Sequence, residues 1–345
     1  MTTLKEIAKK ANVSIATVSK ALNGKGGASQ KTLNKILALA EELNYTPNLY
    51  AKNLVRRESR TLGVITEDLT VFNTPEIVDS INETCEKYDY HYILGNLRIN
   101  KRFGHDFSYS PTYHKLVDDM INTMLSKQVE GIIYVGCTNN SIPYLPSTSS
   151  IPFVCAYCYS NEPSISSVIY DDVKAAYNVT AMLIAKGHKN IGMVCGLPES
   201  EAAISRTIGY KQALQDHGIT YNPKIVVSGD WSQDSGYSLC PSILKNKVTA
   251  IFSHNDVMAV GVMDYCNENN ITVGKDISIV GFDNRQISMI CRPQLTTVAL
   301  PLYEIGNRAA TIMIDILAGK APADQKIMLS CPIIERQTTS SINNE

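Results

Sequence analysis

Thr3-Leu4-Lys5-Glu6-Ile7-Ala8-Lys9-Lys10-Ala11-Asn12-Val13-Ser14-Ile15-Ala16-Thr17-Val18-Ser19-Lys20-Ala21-Leu22 is the stretch that decides how the first part of the chain folds. Thr3 with Glu6 three positions on is a capping box, in which each side chain satisfies a backbone N–H of the other's end. Leu4, Ile7, Ala8 and Ala11 then share one face of a helix that ends near Ala11. Asn12-Val13 makes a tight turn. Ser14 caps a second helix, Ile15 to about Leu22, with Val18, Ala21 and Leu22 inward. Asn23-Gly24-Lys25-Gly26-Gly27 breaks the chain, and Leu33, Ile36, Leu37, Ala40 and Leu43 recur at helical spacing in a third helix. Three short helices, the first two joined by a tight turn, match the helix-turn-helix that reads DNA.

In that motif the second helix enters the major groove with its N-terminal residues on the base edges. Ile15 and Ala16 can touch a thymine methyl but cannot read guanine, whereas Lys20 can donate to guanine. Thr17, Ser19 and the helix end capped by Ser14 suit phosphate oxygens. Asn23 and Tyr45 complete the candidate DNA contacts of the head. A three-helix protein-binding bundle is the alternative, and charge speaks against it. Residues 1–60 hold eleven Lys and Arg and four acids, a net +7, while the rest of the chain carries −8 and the whole chain −1. A basic head on an acidic body points to a polyanionic partner for the head alone. After the head, Thr46 suits an N-cap and Pro47 the first helical position. The helix that follows is too short to persist alone, so it would fold on docking, with Asn48 and Ala51 on DNA and Leu54 as a wedge in the minor groove. A plain linker is the other reading. The expected division is a helix-turn-helix domain at 1–45, a hinge helix and linker at 46–59, and a body at 60–345.

From residue 61 short apolar runs alternate with helical stretches, from Leu62–Thr66 through Thr296–Ala299. Alternating β and α units mean doubly wound parallel sheets. Ten candidate strands exceed one comfortable sheet, so two lobes are expected. A ligand then belongs in the cleft, at the C-terminal ends of strands. Asn255 and Asp256, Asp283, Asp171, Arg206 and Trp231 all fall at or just past such ends. An Arg with acids and amides can hydrogen-bond vicinal hydroxyls, and an aromatic face can stack on the C–H surface of a sugar. The alternatives are structural: Asp283 capping a turn, Asn255 and Asp256 capping a helix, Trp231 in the core. Arg206 and Asp283 are not expected to be needed for the fold core.

Other classes fare poorly. No run of about 18 apolar residues exists to span a membrane, and the first residues lack the pattern of a secretory signal. Nine cysteines in apolar segments read as free thiols in a reducing compartment, hence a cytoplasmic protein. Cys155-Ala156-Tyr157-Cys158, the one CxxC, lies in a strand pattern and reads as core. The six histidines are dispersed, and Gly-x-Ser-x-Gly, Walker A and His-Glu-x-x-His are all missing. No metal or cofactor is expected, and a carbohydrate-active enzyme built on the strand-end Asp and Arg residues is a remote alternative.

The segments Leu4-Lys5-Glu6-Ile7-Ala8, Val13-Ser14-Ile15-Ala16-Thr17-Val18-Ser19, Leu43-Asn44-Tyr45-Thr46-Pro47-Asn48, Gly187-His188-Lys189-Asn190-Ile191, Asn255-Asp256-Val257-Met258-Ala259-Val260-Gly261, Val280-Gly281-Phe282-Asp283-Asn284 and Arg292-Pro293-Gln294-Leu295-Thr296-Thr297-Val298 resemble the lactose-repressor/galactose-repressor (LacI/GalR) family over essentially the whole chain. The last two also resemble the catabolite-control branch, which answers to a phosphoprotein. The resemblance implies a body of the periplasmic sugar-binding-protein type, with two lobes and three crossings between them, which we place near 160, 290 and 325. The N-lobe would then be about 60–160 and 294–325, and the C-lobe about 161–293 and 326–345. It implies a homodimer on a pseudo-palindromic operator, controlled by a sugar or sugar phosphate. Arg206, Asn255 and Asp283 match effector-contacting positions, Trp231 the aromatic that packs on the ligand, and Phe72 and Asn73 weaker ones. Two departures stand out: Lys20 where many members have Arg, and an extra loop at 100–111. The residues after Arg336 show no heptads, so a tetramer through a C-terminal coiled coil is not expected.

Overall fold

The computed structural model of the protein describes residues 3–22, 28–45, 58–104, 111–142, 144–145, 151–320 and 325–342. The expected hinge helix with Asn48, Ala51 and Leu54, and also Asn23 and residues 105–110 of the 100–111 loop, lie outside the described residues. The chain divides into two compact units, Met1–Ser59 and Arg60–Glu345.

The first unit holds α1 (Leu4–Ala11), α2 (Ile15–Leu22) and α3 (Gln30–Glu42). Both halves of the capping box form: Thr3 N donates to Glu6 Oε2 at 2.8 Å and Glu6 N to Thr3 Oγ1 at 3.4 Å. Asn12 turns the chain in the left-handed region, φ 59°, where Asn is tolerated. Thr17 N donates to Ser14 Oγ at 3.0 Å, so Ser14 caps α2. Ile7, Ala8, Ala11, Val18 and Ile36 close the core, with Leu39, Ala40, Leu43 and Tyr45 packed on it. Leu37, expected inward, is exposed instead, and Leu39 takes the inward place.

The second unit contains two six-stranded sheets. The first has the order β11 (Lys326–Leu329), β5 (Ser166–Tyr170), β4 (Phe153–Ala156), β3 (Gly131–Val135), β1 (Thr61–Thr66), β2 (His91–Asn96). The second runs β12 (Ile333–Ile334), β10 (Thr296–Ala299), β9 (Ser278–Asp283), β8 (Ala250–Ser253), β6 (Ile191–Cys195), β7 (Val226–Ser228). All pairs are parallel except β10 with β12. The fully buried strands, such as β3 and β8, are short apolar runs because helices cover both faces. The helices are α4 (Thr74–Lys87), α5 (Ile99–Phe103), α6 (Pro111–Ser126), α7 (Asp172–Ala185), α8 (Glu201–Asp216), α9 (Gln233–Leu244), α10 (Asp256–Glu268), α11 (Gln286–Ile290) and α12 (Leu302–Leu317). The supposed loop from residue 100 thus begins as a short helix.

The crossings differ from expectation. β5 pairs with β4, so residues up to Tyr170 belong to the N-lobe. β10 pairs with β9 and stays in the C-lobe, and β11 returns to β5. The chain therefore crosses between Tyr170 and Asp172, between Ala299 and Leu302, and between Leu329 and Ile333, not near 160, 290 and 325. A four- or five-residue apolar strand carries no mark of which sheet it joins; hydrogen-bond partners far away in sequence decide it.

Candidate functional site

Arg206 anchors the cleft. α8 starts at Glu201, earlier than its apolar pattern suggests, so Arg206 sits in the second turn rather than at the helix entrance. It is 3% exposed. Its Nε donates to Asp172 Oδ1 at 2.7 Å, one Nη to the His254 carbonyl and the other Nη to the Tyr170 hydroxyl at 3.2 Å. The guanidinium lies 3.6 Å from the Phe282 ring centroid. Burial opposes its charge, and Asp172, Tyr170 and Asp283 offset that cost and raise its pKa. Arg206 is therefore part of the fold core, against expectation: removing one member strands a buried charge. Asp172 is the partner that sequence reasoning missed. Its neighbour Asp171, the residue chosen instead, is the N-cap of α7 and accepts from Lys174 N at 2.8 Å.

Asp283 ends β9 beside this pair. Its backbone has φ 105°, a conformation an L-residue holds only where the surroundings impose it. Burial pushes its carboxyl well above the usual range, Arg206 opposes this, and Asp256 adds to it. No hydrogen bond to its carboxyl is found among the described residues. Asp256 itself is buried and pushed up to about 7, chiefly by burial, although it accepts from Thr297 Oγ1 and from Arg285 N at 2.6 Å.

Asn255 is committed to structure. Its Oδ1 accepts from Met258 N at 2.7 Å, capping α10, and its Nδ2 donates to the Trp231 carbonyl at 3.0 Å. Asn255 thereby fixes Trp231, whose φ is 73°. The indole lies flat on Gly196: a Cβ there would fall 1.9 Å from Trp231 Cζ2. Trp231 is half-buried and packs partly against the C-lobe core, as the core reading expects.

From the N-lobe, Phe72 is exposed and its ring centroid lies 4.7 Å from the Arg285 guanidinium of the C-lobe. Asn73 is buried, donates from Nδ2 to the Gly136 carbonyl at 3.3 Å, and leaves Oδ1 without a partner. Asn139 donates to the Tyr170 carbonyl at 2.9 Å and to Asp172 Oδ2 at 3.0 Å. Tyr157 and Tyr170 share a hydroxyl contact at 3.4 Å. At another point between the lobes the Tyr159 hydroxyl donates to Glu201 Oε2 at 3.0 Å, with Lys326 Nζ 3.4 Å from the Tyr159 ring centroid. Asn139, Tyr157, His254 and Arg285 had no signal in the sequence beyond their place after a strand.

In the head, Ser14, Ile15, Ala16 and Lys20 are exposed along α2, and Ile15 is 48% exposed, high for an apolar residue with no partner. Thr17 and Ser19 are half-buried, with the Thr17 hydroxyl 2.8 Å from Ser14 Oγ. Tyr45 is half-buried against the head core. All nine cysteines are free and seven are buried, including both of the CxxC pair. Among the described residues no helix is long and apolar enough to cross a membrane.

Residues 3–48 match the family of bacterial regulatory proteins, lacI family, and residues 180–339 the periplasmic binding protein-like domain. The transcriptional repressor CytR of Escherichia coli K12 is 32% identical, over 99% of this chain and 97% of its own. Catabolite control protein A of Priestia megaterium is 33% identical, over 98% and 99%. Among solved structures, the lac repressor dimer bound to operator and the anti-inducer ONPF superposes with a TM-score of 0.81 at 26% identity, covering 99% of each chain. A likeness that runs end to end through both units settles the family: the chain belongs to the lacI family of bacterial regulatory proteins and is a DNA-binding transcriptional regulator.

Proposed function

We propose that the protein is a dimeric cytoplasmic repressor that reads a pseudo-palindromic operator with α2 and is controlled by a small, uncharged, sugar-like effector in the cleft. The observation that carries this is Asp283: a half-buried carboxyl with no hydrogen-bond partner among the described residues, beside an arginine already neutralised by Asp172, near an indole held in place by Asn255. A carboxyl so placed suits a pair of vicinal hydroxyls. Ile15 and Ala16 meet thymine methyls, Lys20 a guanine, and Ser14, Thr17 and Ser19 phosphates. Asn23, Tyr45, Asn48 and Ala51 are further DNA contacts, and Leu54 is the wedge in the minor groove. Phe72, Asn73, Arg206, Trp231 and Asp283 meet the effector, and Asn255 and Asp171 hold the elements that carry them. Effector binding changes the angle between lobes, and coupling between effector and operator of this kind is typically about 1–3 kcal/mol and reciprocal.

The test starts from an operator selected in vitro from random duplexes. A panel of unphosphorylated sugars and nucleosides should contain compounds that change operator affinity and also the fluorescence of Trp231, the single tryptophan. The likeness to a catabolite control protein favours a second reading. If every small molecule is silent while a phosphorylated partner protein shifts operator affinity, that reading replaces this one.

A further inference from the structure

His254, which follows β8, is fully buried. Its Nδ1 accepts from Gly196 N at 3.3 Å, so in the neutral ring the proton sits on Nε2. Burial and the nearby Arg206 charge hold the ring neutral by lowering its pKa well below the ordinary value. The Nε2–H has no partner. The ring centroids of Phe252 and Trp231 lie 5.5 and 6.5 Å from its own.

Among the described residues the other buried side-chain atoms without a partner are Asn73 Oδ1, His114 Nε2, Asn139 Oδ1, Asn140 Oδ1 and Ser253 Oγ; of these, Asn73 and Asn139 lie on the N-lobe side and have the opposite polarity to the His254 Nε2–H. Asn73 Nδ2 is spent on the Gly136 carbonyl, and Asn139 Nδ2 on the Tyr170 carbonyl and the Asp172 carboxylate. Those partners only accept, which fixes each amide nitrogen as the donor and leaves each Oδ1 as a buried acceptor with nothing to accept. The three groups belong to one chain of contacts. The His254 carbonyl binds Arg206, Arg206 binds Asp172, Asp172 binds Asn139, and Asn139 lies just past Gly136. Native folds rarely leave buried polar atoms unpaired without a use for them.

We propose that His254 and Asn139, with Asn73, form a polarity filter for the effector: one fixed donor on the C-lobe wall and two fixed acceptors on the N-lobe wall. The inference rests on the cleft being the effector site. The filter demands a ligand that offers an acceptor oxygen or nitrogen to His254 and O–H or N–H groups to Asn73 and Asn139. An unphosphorylated polyol or nucleoside has both. A dianionic phosphate placed against the two asparagines has no hydrogen to give them.

The experiment uses the full chain, Trp231 fluorescence and thermal unfolding. The probes are D-ribose, D-glucose, cellobiose, adenosine and uridine, with D-ribose 5-phosphate and D-glucose 6-phosphate as charged counterparts. At least one unphosphorylated probe should bind, and any phosphate ester of it at least about tenfold more weakly, the scale of one well-made hydrogen bond to a buried group. His254→Phe keeps a ring and removes the donor, and should lose about tenfold or more. His254→Gln restores an N–H near the Nε2 position and should stay within about threefold. Asn139→Ala should lose affinity as His254→Phe does. Should His254→Phe fail to fold, Asn139→Ala and His254→Gln carry the test. Binding by His254→Phe or Asn139→Ala at wild-type strength, or equal binding of sugar and ester, overturns the filter while leaving the cleft reading intact. Silence of the wild type to all seven probes overturns the cleft reading and the filter with it.

Discussion

At Arg206 and Asp172 the expected consequence of mutation is loss of stability as much as loss of response. Breaking a buried pair by removing one partner costs about 3–5 kcal/mol, because the other charge is left buried. Arg206→Ala should lower the urea midpoint of the body by that order, and Arg206→Ala with Asp172→Ala by less than the sum of the two single changes. A double mutant that is simply additive contradicts the pairing. Asp256 gives a pH signature. Its folded value, about 7, lies above the ordinary value of 3.8, so the folded protein holds this proton more tightly than the unfolded chain. Stability from this group is fully present below 3.8 and declines as pH rises toward 7, by about 1.4 kcal/mol per unit over that window. Asp283 and Glu67 slope the same way, so the measurement is the difference between wild type and Asp256→Asn. Urea melts from pH 4 to 7 should show wild type losing ground to the variant as pH rises, and a constant difference would rule the assignment out. The positions of Trp231 just past β7 and of Asp283 at the end of β9 were legible in the sequence because the apolar runs that form those strands stop there, whereas Arg206 lies deeper in its helix than its apolar pattern suggests. Asp172 was hidden by its neighbour: two consecutive acids at a helix start look alike in sequence, and only the fold shows that Asp171 caps while Asp172 faces Arg206.

Among the elements, the packing of α8 on α7 holds Arg206 in place. Gly209 makes that crossing possible, since a Cβ there would lie 2.1 Å from the Val173 carbonyl oxygen. Gly209→Ala should force the helices apart and cost about 1–3 kcal/mol by overpacking, read as a lower unfolding temperature. An unchanged melting curve would mean the crossing is looser than described. In the head, Ser14→Ala removes the cap of α2 and should cost about 1 kcal/mol of head stability. The first three helices were readable because their caps and breaks are local: Thr3, Asn12 and Ser14 each act within a few residues. β11 was not. Its residues alternate between exposed and half-buried at the edge of the N-lobe sheet, and its one partner, β5, lies far back in the chain. The same distance explains the misplaced crossings.

On the scale of the whole molecule, the division at Ser59 separates the basic part from the acidic part. A chain beginning at Arg60 should fold, keep its fluorescence response to any cleft ligand and fail to shift operator DNA at physiological salt. The intact protein should lose affinity steeply as salt rises, because each Lys or Arg on a phosphate releases counterions. Operator binding by the shortened chain would overturn the assignment of DNA reading to α2. The three crossings have a consequence of their own. Two bodies joined by one tether tumble like beads on a string, whereas three short tethers from Tyr170 to Asp172, Ala299 to Leu302 and Leu329 to Ile333 make the lobes a door on a single spindle. Such a door has one coordinate, how far it stands open. Chemically unlike ligands then cannot dictate unlike shapes, only different degrees of opening.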